Sequence, residues 1–176
     1  YEDEDADTVT PFEEAWDALS PRYRRMPGVD DLRSSRAEQL RRFAAQHDLR
    51  AEPFLVEPYL QVEVAPGVVL FGRMDRVDEE EDGTLHVIDY KTGSMPGEVD
   101  AGQLRLYAIM VEQKLGRPVS RLSFWYLDDG RVWTIDLSDD DKRQIRDELL
   151  STAREMERVT EYPPAIGPHC AHCPYL

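Results

Sequence analysis

The stretch GRMDRVDEEEDGTLHVIDYK, residues 72–91, decides how this chain folds. Two runs rich in Val, Ile, Leu and Met flank an acidic turn that closes on Gly83. A three-residue loop, Glu81-Asp82-Gly83, places Gly83 in the left-handed position of a type I turn with a G1 bulge. Glu80 then faces Thr84 and Asp75 faces Asp89. Opposed Cβ atoms in such a pair lie roughly 4.5–5.5 Å apart. Lys91 joins them, because strand side chains alternate with period two. A two-residue loop, Asp82-Gly83, would instead pair Asp75 with Tyr90 and separate the carboxylates onto opposite faces.

Two carboxylates and a lysine therefore converge on one face. Opposed like charges destabilise a sheet unless something neutralises them. A divalent cation does so: Mg²⁺ takes one or two carboxylates and keeps waters and substrate phosphate as its other ligands. A lysine beside it can position an attacking water or stabilise developing charge. That is the chemistry of a phosphodiesterase. The plainer reading of the same residues is a structural ion pair between Asp75 and Lys91. A calcium loop is a further alternative, since Asp78, Glu80, Asp82, Gly83 and Asp89 occupy EF-hand positions. Its flanks, however, alternate as strands rather than helices, and Asp89 stands where the loop needs Glu.

Around this hairpin the chain reads as one α/β domain of 176 residues, 41% hydrophobic and 32% charged. It starts at Tyr1 rather than Met, as an excerpt of a longer protein would. After an acidic lead over residues 1–10, Phe12–Leu19 and Ser34–His47 pattern as helices. The second has Ser34 or Ser35 as N-cap and Leu40, Phe43 and Ala44 on one face. Phe54–Val64, Val68–Val77 and Thr84–Lys91 pattern as three consecutive antiparallel strands. Asp100–Gly116 follows as a helix with the stripe Leu104, Ala108, Val111, Leu115. A hairpin around Asp128-Asp129-Gly130 comes next, then a long helix over Ser138–Val159 capped by Ser138. The expected fold is a mixed β-sheet flanked by helices. Residues 1–52 form a helical segment, 53–159 the core and 160–176 a tail.

The net charge is −15, which taken alone argues against a nucleic-acid partner. Yet residues 22–50 hold eight arginines against four acids, enough for a local basic face. Lysine is scarce: Lys91, Lys114 and Lys142 are the three present, so Lys91 is poorly explained as surface filler. The longest apolar run is Leu106–Val111, far short of the roughly 18–20 residues of a membrane span. Cys170 and Cys173 are the two cysteines, so no disulfide framework is indicated and a cytoplasmic location is expected.

The linked motifs Gly72-x-x-Asp75, Asp89-x-Lys91 and Gln103-x-x-x-Tyr107 resemble the RecB-type branch of the PD-(D/E)XK nucleases. This branch includes helicase–nuclease domains and CRISPR-associated RecB-like exonucleases. The resemblance covers residues 54–115 and implies a restriction-endonuclease-like core. It implies a Mg²⁺- or Mn²⁺-dependent deoxyribonuclease, an exonuclease acting on DNA ends or single strands in repair or recombination, with a helicase subunit or domain as partner. Asp75 and Asp89 would be metal ligands, with the Tyr90 backbone carbonyl as a third and Glu57 as a further one. Lys91 would be the catalytic lysine, and Gln103 and Tyr107 would line the site. The family's upstream Gly-x-x-x-His motif is absent: His47, His86, His169 and His172 stand in no such context. A nuclease-fold DNA-binding or scaffolding domain without catalysis is therefore the alternative. Cys170 and Cys173, in PHCAHCPYL, resemble the C-terminal segment of iron–sulfur members. Because a [4Fe–4S] cluster needs about four thiolates, its remaining ligands would lie outside this chain. Half a zinc site using His169 or His172, or two free thiols, are the other readings.

Overall fold

The hairpin around Gly83 has the register that a three-residue loop demands. In a computed structural model describing residues 9–161 and 163–173, Arg76 pairs with Ile88, Val77 with Val87, Asp78 with His86 and Glu79 with Leu85. Gly83 sits at φ +80° and donates to the Glu80 carbonyl at 2.9 Å, while Glu80 N–H donates to the Thr84 carbonyl at 2.9 Å. Strands on both sides of the turn rule out the calcium loop, which requires helices.

Three helices lead the chain: α1 (Val9–Asp17), α2 (Pro21–Arg24) and α3 (Val29–Gln46). Then come β1 (Leu55–Val56), β2 (Tyr59–Ala65), β3 (Val68–Arg73), β4 (Arg76–Glu79) and β5 (Leu85–Lys91). Helix α4 (Gly102–Leu115) crosses to β6 (Val119–Tyr126), which turns into β7 (Arg131–Asp136) and α5 (Asp139–Arg158). A short 3₁₀ turn, Pro168–His172, lies in the tail. The acidic lead falls mostly outside the described residues, and so do the side chains of His169 and His172.

The strands form a five-stranded sheet, β1-β4-β5-β6-β7, and a separate β2-β3 ribbon. The β5–β6 pair is parallel and the others antiparallel, so the sheet is mixed as expected. The three continuous strands expected before α4 are in fact two broken ones and an intact one. The breaks fall together, at Glu57-Pro58 and at Met74-Asp75. Pro58 has no N–H for a ladder, and Glu57 adopts φ +45°, uncommon for a residue with a side chain. The two chains stay joined across the bend, with Glu57 N–H on the Asp75 carbonyl at 2.8 Å and Met74 N–H on the Pro58 carbonyl at 3.2 Å. The ribbon thus swings out of the main sheet at Asp75 itself.

Helix α3 also starts earlier than expected. Gly28 at φ +76° precedes it and Asp30 and Asp31 occupy its first turn, where carboxylates favour the helix dipole. Ser34 and Ser35 are interior residues. Ser138 caps α5 in a reciprocal capping box with Asp141, as its position suggests.

The core lies between the main sheet and α4. Leu85 and Val87 of β5, and Leu122 and Phe124 of β6, meet Leu104, Ala108 and Val111 of α4. The other sheet face carries Tyr90 and Trp125 against Phe43 of α3, with His47 stacked on Trp125 at 3.9 Å. Leu104 is fully buried. Leu104→Ala should lower unfolding free energy in urea by about 2–5 kcal/mol, the range for a core truncation that leaves a cavity. A change within about 0.5 kcal/mol would show that α4 does not anchor the core.

That second face also half-buries His86. Its Nε2 meets Ser123 Oγ at 2.8 Å, and Ser123 Oγ meets Thr134 Oγ1 at 2.7 Å. Burial first, then the Arg121 guanidinium, pushes the imidazole down to about 4. His86 Nδ1 lies 3.3 Å from Glu80, but Arg121 already neutralises that carboxylate oxygen at 3.1 Å, so the ring stays neutral. An imidazole harder to protonate folded than unfolded favours the native state above pH ~6.5 and loses that advantage as pH falls towards about 4. Its contribution over this window is on the order of 3 kcal/mol. Stability measured by urea unfolding should fall across this window, and His86→Gln should flatten the fall. An unchanged slope in the variant would place the acid sensitivity elsewhere.

Candidate active site

Asp89 belongs to the core by position and not by chemistry. In β5 it shares the α4-facing side with Leu85 and Val87, and it is 5% exposed. Oδ2 lies 2.6 Å from Lys91 Nζ, a close charge-assisted pair. Burial raises the Asp89 carboxyl above the ordinary range; Lys91 opposes the shift and Asp75 adds to it. The sensitivity to Asp75 indicates that the two carboxylates feel each other.

Asp75 stands just before β4, at the bend of the ribbon. Its Oδ2 accepts from the Tyr90 N–H at 2.7 Å. This replaces a ladder partner, since β4 pairing ends at Arg76 opposite Ile88. The Lys91 carbonyl accepts from Leu127 N–H at 2.8 Å, on the β6 side. Successive residues in a strand aim their backbone groups to opposite sides. The Tyr90 carbonyl therefore turns with its N–H towards Asp75, where no strand residue stands opposite.

A chain of hydrogen bonds holds Lys91. Its Nζ donates to Gln103 Oε1 at 2.8 Å, Gln103 Nε2 donates to Tyr107 Oη at 2.8 Å, and Tyr107 Oη donates to the Arg73 carbonyl at 2.8 Å. Gln103 and Tyr107 are one helical turn apart on α4, which lets them bond each other. Gly72 makes room for the ring: a Cβ there would lie 3.1 Å from Tyr107 Cε1. Below the ammonium is Phe124, with its ring centroid 4.7 Å from Nζ. The roles of Phe124 and the Arg73 carbonyl were not legible in the sequence. Phe124 reaches the site through the parallel register that sets it beside Asp89, and the Arg73 carbonyl is backbone.

These donors suit a hard cation: two carboxylates, one of them buried, and the Tyr90 carbonyl on the Asp75 side of β5. Among the described residues no group of three or more His, Cys, Asp or Glu is arranged to hold a metal. Carbonyl, water and phosphate oxygens would complete the shell, as Mg²⁺ prefers. The Glu57 side chain is largely exposed, 3.5 Å from Arg73 Nη1, while its backbone N–H anchors Asp75. His47 and His86 lie on the opposite sheet face. Cys170 and Cys173 are free thiols in the tail, with Gly167 N–H on Cys170 Sγ at 3.4 Å. Two thiolates do not make a [4Fe–4S] site.

A search of curated proteins finds no match. Among solved structures, a candidate exonuclease of Eubacterium rectale is similar at TM-score 0.56 and 12% identity, covering 80% of this chain. This chain spans 60% of that one, so the likeness speaks for the fold alone. Another structure, of the protein SSO0001, covers 94% of this chain and 92% of its own at 16% identity, with a TM-score of 0.45 that carries no weight. No helix among the described residues is long and apolar enough to cross a membrane. The PD-(D/E)XK nuclease superfamily matches residues 1–176. With a mixed sheet and a buried Asp-x-Lys strand at its centre, the chain belongs to the PD-(D/E)XK nuclease superfamily.

Proposed function

We propose that this chain is a divalent-metal-dependent deoxyribonuclease, an exonuclease of RecB type that hydrolyses DNA phosphodiester bonds in repair or recombination. The convergence of Asp75, Asp89 and Lys91, with Lys91 held by Gln103 and Tyr107, carries this reading. Asp75, Asp89 and the Tyr90 carbonyl would hold Mg²⁺ or Mn²⁺, with Glu57 at the margin. The cation supplies Lewis-acid polarisation of the phosphate and a more acidic bound water.

The protein's share is positioning and charge. An ammonium has three N–H donors. Asp89 and Gln103 engage Lys91 on two sides, leaving the third N–H for an attacking water or a phosphate oxygen. Tyr107 fixes the Gln103 amide so that its oxygen, and not its nitrogen, faces Lys91. Asp75 and Asp89 compensate the positive charge that the phosphate attracts. Cys170 and Cys173 would give half the thiolates of an iron–sulfur cluster completed from outside, and a helicase subunit or domain would deliver the strand.

A fold kept for DNA binding or scaffolding without catalysis is the second reading, favoured by the small carboxylate set among the described residues. Labelled single-stranded DNA with Mn²⁺ separates the two. Lys91→Ala should lower the cleavage rate by about 100-fold or more, the scale for removing a positioned donor to developing charge. DNA affinity should change only a few-fold. Wild type and variant equally inert, with binding intact, would establish the non-catalytic reading.

A further inference from the structure

Among the described residues, one face of the β2–β3 ribbon is turned outward and exposed. Its inner face buries Leu60 and Val62 and sets Gly72 against Tyr107 of α4. The outer face alternates with it and carries Tyr59, Gln61 and Glu63 on β2 and Val69, Phe71 and Arg73 on β3. Tyr59 pairs across the ribbon with Arg73, and Gln61 with Phe71. The two aromatic side chains are the most conspicuous feature: Tyr59 is 59% exposed and Phe71 70% exposed. No aromatic contact involves either ring among the described residues.

The position of this face matters as much as its composition. The Arg73 carbonyl is the terminus of the hydrogen-bond chain that holds Lys91. Glu57, two residues before Tyr59, binds the Asp75 backbone through its N–H. The aromatic end of the ribbon is therefore continuous with the candidate active site, and Glu63 and Val69 lie at the far end. The Arg73 side chain is 65% exposed and its guanidinium is loosely paired with Glu57 at 3.5 Å.

We infer that the outer face of β2–β3 is a base-stacking platform that holds a single-stranded DNA segment beside the site, with Tyr59 and Phe71 each carrying a base and Arg73 on the intervening phosphate. The inference rests on the proposed nuclease reading for its choice of ligand. Exposed aromatic rings on a strand face, with a cation in the same row, are the chemistry that binds unpaired bases without reading sequence. Diagonal neighbours on a ribbon lie roughly 7–8 Å apart, room for one base on each ring. Paired bases present no free face to such rings, so the platform selects single strands. Stacking would add attraction that does not come from phosphate pairing, the source that a net charge of −15 weakens.

The test is affinity of the full chain for fluorescent oligo-dT in EDTA, by anisotropy. Without metal the readout is independent of hydrolysis, so failure of catalysis and failure of the platform are distinguishable. Phe71→Ala and Tyr59→Ala should each weaken binding about 5- to 150-fold, with melting curves confirming the fold. Phe71→Trp should restore affinity, whereas Phe71→Leu should not, because leucine is apolar without a ring face. An oligomer of abasic sites should bind the wild type more weakly than Phe71→Ala binds oligo-dT, because it offers a base to neither ring. Wild-type affinity in Phe71→Leu, equal binding of abasic and oligo-dT strands, or preference for duplex would overturn the platform. So would sedimentation showing that Phe71→Ala dissolves a dimer built on this face.

Discussion

A glycine at φ +80° holds β4 and β5 in a register that, carried one residue past Arg76 and Ile88, sets Asp75 opposite Asp89. Every other feature of the site depends on that register. One residue of slip would turn Asp75 to the far side of the sheet and leave Asp89 with Lys91 alone. The Asp75 side chain then strengthens the arrangement by taking the Tyr90 N–H that β4 no longer reaches. The bend in the ribbon thus creates both the position of the Asp75 carboxylate and its support.

The site keeps a charge in a place that disfavours it. Burial pushes the Asp89 carboxyl up, and Lys91, 2.6 Å from its Oδ2, opposes that shift. Buried charge is tolerated when it is paired or coordinated. The Lys91 pair compensates partly, and a bound cation would compensate further. The same core that anchors α4 through Leu104 also fixes Gln103 one residue earlier in the chain, so packing and positioning share one helix.

Much of this was legible in the sequence because it depended on local rules. Gly83 after Glu81-Asp82 specified the loop, and period-two alternation put Asp89 and Lys91 on one face. Helical spacing brought Gln103 to Tyr107, and Gly116 and Ser138 marked helix ends. What was not legible came from long-range geometry. The breaks at Glu57-Pro58 and Met74-Asp75 are adjacent only once β1 and β4 pair, so each strand read as continuous. Phe124 reaches Lys91 through a parallel register set by α4, and no spacing rule over residues 91–124 reveals it. Helix α3 started before Ser34 because Gly28 and the acidic first turn outweighed a plausible serine cap.

The account stands on Asp75 and Asp89 forming one cation site. Its most direct test is the binding of Mn²⁺ to the full chain, followed by electron paramagnetic resonance in the absence of DNA. One Mn²⁺ per chain, lost in both Asp75→Asn and Asp89→Asn but retained in Gln103→Ala, is the predicted result. Mn²⁺ bound equally by the wild type and both asparagine variants would contradict it.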